Sequence, residues 1–143
     1  MEYMEIHHKL YELNYNNRNC SFPLLVTLNG ELRLLWFYTD TQDAEKGYAN
    51  ITIKEIVVIS ENMTYTKIET NDTVKVEKFI NGVMDISGYD YINLLLTMWE
   101  RKTDDNYDLD KELQNLYKRV ILKVMKPVYE KALEVAKNNK LID

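Results

Sequence analysis

Cysteine, proline, glycine and histidine are scarce in this chain of 143 residues, which has one Cys, two Pro, four Gly and two His. A single cysteine excludes an internal disulfide framework and a zinc site built on thiolates. Phosphate-binding loops need glycine where the backbone touches the phosphate, and the glycines here are too scattered for either familiar loop. They lie at Gly30, Gly47, Gly82 and Gly88.

Long apolar runs are also missing, since no segment approaches the roughly 18 apolar residues that a membrane span requires. The first residues are acidic and do not resemble a secretory signal, so we expect a cytoplasmic protein with no membrane contact. Hydrophobic residues make up 45% of the chain and charged residues 29%, which is typical of a folded domain. The sequence predicts a single domain over residues 1–143.

The charge of the chain is acidic and unevenly distributed. The net charge is −5, although residues 109–143 carry eight Lys and Arg against five Asp and Glu. Because Lys and Arg supply most of the affinity for phosphate backbones, the acidic remainder argues against nucleic acid as a partner. A solvent-exposed helix with basic side chains would explain the excess of positive charge in residues 109–143. The alternative is a protein with separate acidic and basic regions that docks on a basic partner through its acidic region.

The strongest local pattern is two apolar runs, residues 24–28 and 31–38, separated by Asn29-Gly30. Such a dipeptide favours a two-residue hairpin turn. The alternation of side chains favours a three-residue loop instead, because that register collects the apolar residues on one face. We therefore expect an odd loop with a bulge that places Leu28 opposite Leu32, Val26 opposite Leu34 and Leu24 opposite Trp36.

Helical and strand periodicities alternate through the first half of the chain. Apolar residues at three- and four-residue spacings predict an N-terminal helix over residues 2–15. Residues 39–50 are polar and predict a loop. Alternating apolar residues predict strands at 51–53, 56–59 and 63–69, with a bulge at 54–55 and a turn at 61–62.

The second half predicts helices. Residues 71–73 are typical of a turn or a helix cap, and residues 74–81 fit a strand or a helix, of which we favour the helix. Ser87 and Asp90 have the spacing of a capping box and open a helix over residues 88–102. Residues 104–108 then interrupt the helical pattern.

A last long helix is predicted after Asp108, with acidic residues near its positive N-terminal end. Pro127 interrupts its apolar stripe, so we expect a kink near residues 123–127 or two abutting helices. The whole order is an N-terminal helix, an antiparallel sheet of three or four strands and three helices, the last one long and kinked near Pro127. Because strands and helices are grouped separately, the predicted class is α+β.

The residue patterns that could indicate a catalytic or metal site are weak in this sequence. His8 and Glu12 are one helical turn apart, but two ligands alone do not define a metal site. Cys20 has no neighbouring positive charge that would lower its pKa. The acidic run from Asp104 has Leu109 where a calcium loop needs glycine and Asn115 where it needs a bidentate Glu. The sequence thus predicts no catalytic residue, cofactor or metal, although a paired-carboxylate hydrolase stays open.

Aromatic and acidic side chains give the remaining hypothesis. Trp36-Phe37-Tyr38 places aromatic rings on both faces of one strand, which either helices or a partner must cover. The prediction is a non-enzymatic protein-binding domain, such as a bacterial immunity or antitoxin-like inhibitor of a basic toxic nuclease. A secretion-chaperone-like dimer that binds an extended client and a small hydrolase or ligand-binding domain are the alternatives, and a homodimer is left open. The predicted partner-binding residues are Phe37, Asp40, Asp43, Glu45, Asp104, Asp105 and Asp108.

Overall fold

A computed structural model describes residues 19–45, 48–77, 86, 88–120 and 125–143 of the chain. Among these residues the structure has a mixed α+β architecture, with an antiparallel sheet followed by three helices. The strands are β1 (Asn19–Cys20), β2 (Leu24–Leu28), β3 (Glu31–Glu45), β4 (Tyr48–Ile59) and β5 (Tyr65–Glu77). The helices are α1 (Gly88–Glu100), α2 (Leu109–Val120) and α3 (Lys126–Asn138), with a 3₁₀ turn at Arg101–Thr103 between α1 and α2.

The sheet is built around the central strands β3 and β4. The strand order is β1-β3-β4-β5, and β2 pairs with β3 beside β1. β1 and β2 are two parts of one interrupted edge, because the Ser21 N–H donates to the Phe37 carbonyl at 2.8 Å between them. The predicted grouping of strands before helices is confirmed within the described residues.

The β2–β3 hairpin has a two-residue loop, so the predicted three-residue loop is wrong. Val26 lies opposite Arg33, and Leu28 lies opposite Glu31. Asn29 and Gly30 both have positive φ, 53° and 83°, which is the conformation of the primed turn that Asn-Gly favours. The turn chemistry therefore determined the register.

The predicted loop over residues 39–50 is also wrong, because β3 and β4 continue through most of it as a long hairpin. Asp40 lies opposite Thr52, and Thr41 lies opposite Ile51. The predicted bulge at residues 54–55 is confirmed, since the registers on both sides of β4 shift there. Lys54 reaches across this irregularity, and its Nζ donates to Asn71 Oδ1 at 3.1 Å.

β5 is longer than the sequence predicts. The turn after β4 is confirmed, with Met63 at a φ of 65° and the Ser60 N–H donating to the Thr64 carbonyl at 3.1 Å. The strand then runs through residues 71–73, where a turn or cap was predicted, and through the first part of the predicted helix at 74–81. Both predictions are wrong up to Glu77, and residues 78–81 lie outside the described residues.

The helices after residue 87 follow the sequence pattern. α1 and the 3₁₀ turn occupy the predicted helix at 88–102, and the break at 104–108 is confirmed. α2 and α3 occupy the predicted long helix, and Pro127 lies in the first turn of α3, where its missing N–H costs no helical bond. Residues 121–124 are outside the described residues, so the kink stays a prediction.

Two hydrophobic cores lie on opposite faces of the sheet. α1 and α2 cover the first face, where Trp36 and Val57 pack against Leu95 and Trp99. α3 covers the second face through small and aromatic residues, which include Tyr129, Ala132 and Ala136. Helices therefore bury both faces of the central strands, and such burial stabilises the sheet by roughly 25 cal/mol per Å² of apolar area.

The outer edge of β2, which we call the closed edge, is hydrogen-bonded to side chains and to Asp143. Tyr117 in α2 bonds both backbone groups of Leu25, and Tyr129 in α3 accepts the Phe22 N–H at 3.1 Å. The Asp143 N–H donates to the Thr27 carbonyl at 2.9 Å, and its Oδ1 accepts the Asn29 N–H at 3.1 Å. These bonds occupy backbone groups that an added strand would need.

Several predictions fall on residues outside the described part of the chain. They are the N-terminal helix, the pair His8 and Glu12, and the Ser87 part of the capping box. Among the described helices, none combines the length and the apolar character needed to cross a membrane.

Candidate protein-binding surface

The predicted acidic residues fall at two separate ends of the sheet. Asp40 lies opposite Thr52, in the half of β3 and β4 that extends toward Glu45 and Tyr48. The 3₁₀ turn lies at the other end, because Lys102 pairs with Glu61, two residues after β4 ends. Thr52 and Ile59 are about seven residues apart, or roughly 23 Å along a strand. The structure therefore does not bring the two groups into one surface.

The first group belongs to β3 rather than to a loop. Asp40 is exposed, and its cross-strand neighbour Thr52 is buried and bonded through its hydroxyl to Thr73 at 2.8 Å. The backbone of Asp43 and Glu45 lies near the end of the same strand. A strand fixes where these residues lie along the sheet, but it separates them from the second acidic group.

Phe37 is a core residue in this fold. Its side chain is 2% exposed and packs edge-to-face against Tyr129 in α3, with ring centroids 5.1 Å apart. The question that the sequence left open, whether helices or a partner cover this face of β3, is answered by α3. We therefore leave Phe37 out of the candidate surface.

The second group forms a structured segment, the acidic turn, which we define as residues 104–110. Asp104 Oδ1 accepts the Asn106 N–H at 3.0 Å, and the Asp104 carbonyl accepts the Tyr107 N–H at 3.0 Å. Asp108 Oδ1 accepts the Lys111 N–H at 3.1 Å, so Asp108 caps α2 as its sequence position predicts. Local hydrogen bonds therefore hold two carboxylates of the turn in place, those of Asp104 and Asp108.

The pKa of Asp104 is lowered, first by the hydrogen bond from the Asn106 N–H and then by the Arg101 guanidinium. Arg101 Nη2 lies 3.3 Å from Asp104 Oδ2. Both interactions favour the ionised carboxylate. Asp104 is therefore charged at neutral pH. The side chains of Asp105, Asp108 and Asp110, which follow it within six residues, are exposed as well.

The two cations that precede the acidic turn, Arg101 and Lys102, already have partners in the chain. Arg101 lies over the Tyr107 ring, 3.9 Å from its centroid, in addition to its contact with Asp104. Lys102 pairs with Glu61, which also accepts the Trp99 indole N–H at 3.1 Å. Residues 100–112 contain six acidic and three basic side chains, so the surface keeps an excess of negative charge.

Two large hydrophobic side chains stand out as exposed among the described residues, and neither is among the partner-binding residues predicted from the sequence. Tyr65 is 42% exposed, and its ring meets Trp36 edge-on with centroids 6.4 Å apart. Leu94, on the outer side of α1, is 39% exposed. Tyr65 opens β5 directly after the turn that carries Glu61, so it lies at the same end of the sheet as the acidic turn. A tyrosine pattern in a strand does not distinguish a packed ring from an exposed one.

The buried tyrosines have structural roles. The hydroxyl of Tyr91 donates to the Pro23 carbonyl, and those of Tyr117 and Tyr129 bond the same segment at the closed edge. Burial is the main cause that raises the pKa of Tyr91 and Tyr117 well above the usual value. Both are therefore neutral hydrogen-bonding groups at physiological pH.

No cluster of three or more His, Cys, Asp or Glu side chains suited to a metal ion is found among residues that the structure describes. The acidic turn is an exposed surface on which hydrogen bonds hold the carboxylates of Asp104 and Asp108. Comparison with protein-family models, with curated proteins and with solved structures finds no match to this chain in any of the three.

Proposed function

We propose that this chain is a non-enzymatic protein-binding domain whose acidic turn docks on a basic protein partner. Within that class, we propose an inhibitor of the bacterial immunity or antitoxin type that acts in the cytoplasm against a basic target such as a toxic nuclease. The observation that carries the proposal is the pre-organised acidic turn, in which Asp104 and Asp108 shape the backbone. The two cations that precede the turn, Arg101 and Lys102, are engaged with Asp104 and Glu61.

An acidic turn whose backbone is ordered by Asp104 and Asp108 suits this role for two physical reasons. An excess of one charge speeds the encounter with an oppositely charged partner, and rates of such encounters fall as salt screens the charges. A surface that is already ordered loses less conformational entropy on binding than a flexible loop of the same composition. Tyr65 adds an exposed aromatic side chain at this end, of the kind that is enriched in binding hot spots.

The test separates the charge of the turn from its shape. The side chains of Asp105 and Asp110 are exposed and make no hydrogen bond or ion pair within the described part of the chain, so Asp105→Asn with Asp110→Asn removes two charges without removing the cap. The matched control, Glu130→Gln with Glu134→Gln, removes the same charge from the exposed side of α3. Each purified, folded variant is used as bait at low salt in extracts of the native host, and captured proteins are identified by mass.

We expect the native chain and the control to capture the same basic protein, with loss of capture as salt is raised. The Asp105→Asn, Asp110→Asn variant should bind that protein roughly fivefold more weakly, since two charge contacts near a surface are worth about 1 kcal/mol together. Capture of no basic protein by folded bait, or equal binding by both double variants, would overturn the proposal.

A further inference from the structure

The two edges of the sheet differ in how their backbone groups are used. The closed edge is occupied by Tyr117, Tyr129 and Asp143, as described above. At the other edge, β5 pairs with β4 on one side, and no strand among the described residues pairs with its other side. β5 is 13 residues long, and most of its side chains are exposed. A long edge strand of this kind is a template for pairing with another strand.

The backbone phase of β5 follows from the turn before it. The Ser60 N–H donates to the Thr64 carbonyl, so the even-numbered residues that follow direct their backbone groups toward β4. The register with β4 shifts between Glu69 and Asp72, but the even-numbered residues stay the more buried ones as far as Val76, so the same phase continues past the shift. The N–H and C=O of odd-numbered residues such as Lys67 and Glu69 are directed away from the sheet. The side chains of these residues are exposed on the face of the sheet that α1 and α2 partly cover.

We propose that β5 is a dimerisation strand that pairs antiparallel with β5 of a second copy of this chain. The register places Lys67 opposite Glu77 of the second copy and Glu69 opposite Lys75 of the second copy. Each pair occurs twice because the two-fold axis repeats it, which gives four pairs of opposite charge along one face of the seam. Opposite charges directly across a strand pair stabilise it, and like charges destabilise it.

The charges of β5 select this register among its neighbours. A two-fold axis between antiparallel edge strands is perpendicular to the sheet, so odd-numbered residues must face odd-numbered residues and the register changes in steps of two. One step in one direction places Lys67 opposite Lys75. One step in the other direction places Glu69 opposite Glu77. Each of the two neighbouring registers therefore puts like charges opposite one another, where the proposed register has opposite charges.

The opposite face of the seam has one unfavourable pair. The same register places Asp72 opposite Asp72 of the second copy, while Ile68 faces Val76 and Thr70 faces Val74. Asp72 is half-buried and accepts a hydrogen bond from the Thr70 hydroxyl. This one like-charge pair is outnumbered by the four pairs of opposite charge. Its removal by substitution of Asp72 should therefore strengthen the dimer.

Charge-exchange variants test the register, and sedimentation velocity measures the mass over a range of concentrations. Glu69→Lys and Lys75→Glu each place like charges opposite one another in a homodimer, so each should weaken dimerisation about tenfold. An equimolar mixture of the two variants should recover the native affinity, because only the mixed dimer has complementary charges. Glu100→Lys and Lys118→Glu, exposed on α1 and α2, are the matched controls and should leave the affinity unchanged.

Two further measurements identify the strand. Asp72→Asn should tighten the dimer about threefold, because it removes the like-charge pair at the axis. Amide hydrogen exchange at Lys67 and Glu69 should slow at high protein concentration and recover on dilution. Circular dichroism establishes that each variant is folded, so a loss of dimer is not a loss of structure.

A mass of 17.0 kDa at every concentration up to roughly 1 mM would overturn the proposal. So would a dimer whose affinity is insensitive to Glu69→Lys, or a variant mixture that forms no mixed dimer. The proposal rests on β5 and is independent of the acidic turn. If the chain is a monomer that captures a basic protein, the proposed dimer is wrong and the proposed function stands.

Discussion

The hydroxyl of Tyr117 binds both backbone groups of Leu25: it accepts the N–H at 2.9 Å and donates to the carbonyl at 3.2 Å. Leu25 lies opposite Leu34 in a pair whose backbone groups point away from β3, so they have no partner in the sheet. One side chain of α2 thus satisfies an edge position of β2. This contact joins the helical layer to the edge of the sheet.

Replacement of Tyr117 by Phe should destabilise the fold by about 1–3 kcal/mol, because it leaves two backbone groups without partners in a largely buried position. Denaturant unfolding measures the change. Tyr107→Phe is the control, since that ring lies in the acidic turn over Arg101 and its hydroxyl is not part of the closed edge. Equal stability of Tyr117→Phe and the native chain would contradict this role.

Stability should decline at alkaline pH because Tyr91 and Tyr117 have raised pKa values in the folded state, mainly through burial. In the unfolded chain these phenols ionise near pH 10, so their contribution is complete below about pH 10 and is lost as the pH rises toward the folded-state values. Unfolding by denaturant at pH 8 and pH 11, with phenolate absorbance, measures this. The decline should be smaller in Tyr117→Phe, and an identical decline would contradict the assignment.

Gly30→Ala should cost about 1–2 kcal/mol, because Gly30 has a φ of 83°, where a Cβ is strained. No atom lies within 4 Å of the added Cβ, so a steric clash contributes nothing to this cost. Gly30→Asn is the control, since Asn tolerates positive φ better than Ala does. Thermal unfolding of both variants gives the comparison, and a Gly30→Ala chain at least as stable as Gly30→Asn would contradict the turn assignment.

Ala132→Leu should destabilise the fold by about 1–3 kcal/mol. Ala132 is fully buried between α3 and the second face of the sheet, and a larger side chain has to push the helix away. Glu134→Leu adds the same side chain at an exposed position of α3 and should change stability by less than about 0.5 kcal/mol. Denaturant midpoints measure both, and equal effects would show that α3 is not closely packed there.

The β2–β3 register shows why the sequence predicts elements better than their pairing. Alternation identifies a register only where one face of a sheet is exposed. Here Leu35 packs under α3 while Leu34 packs under α1, so both the odd-numbered and the even-numbered residues of β3 are apolar. The alternation therefore does not distinguish one register from another. The Asn-Gly signal was the better guide, because it acts through φ rather than through burial.

Polar strands were missed for a related reason. Residues 39–45 and 71–73 lack the apolar alternation that predicts a strand, yet they lie in strands that pair with β4. Their strand conformation is fixed by backbone hydrogen bonds to the neighbouring strand β4. That strand is held in the core by Ile51 and Ile53, which are buried on the second face of the sheet. Tertiary pairing therefore overrides local propensity.

The candidate surface was predicted in part. The cap at Asp108 and the acidic break between helices follow from local sequence, because both are hydrogen-bonding preferences of neighbouring residues. Separation of Asp40 from Asp104 depends on the direction in which α1 crosses the sheet, which no local pattern encodes. Exposure of Tyr65 depends in the same way on which helix covers Trp36.

The closed edge also limits how far copies of this chain can associate. A second copy added at β5 would turn its own closed edge outward, where Tyr117, Tyr129 and Asp143 already occupy the backbone. The backbone groups of Leu25 and Thr27 would then be unavailable to a third copy, so a further strand could not add along β2 in the way that β5 adds to β5.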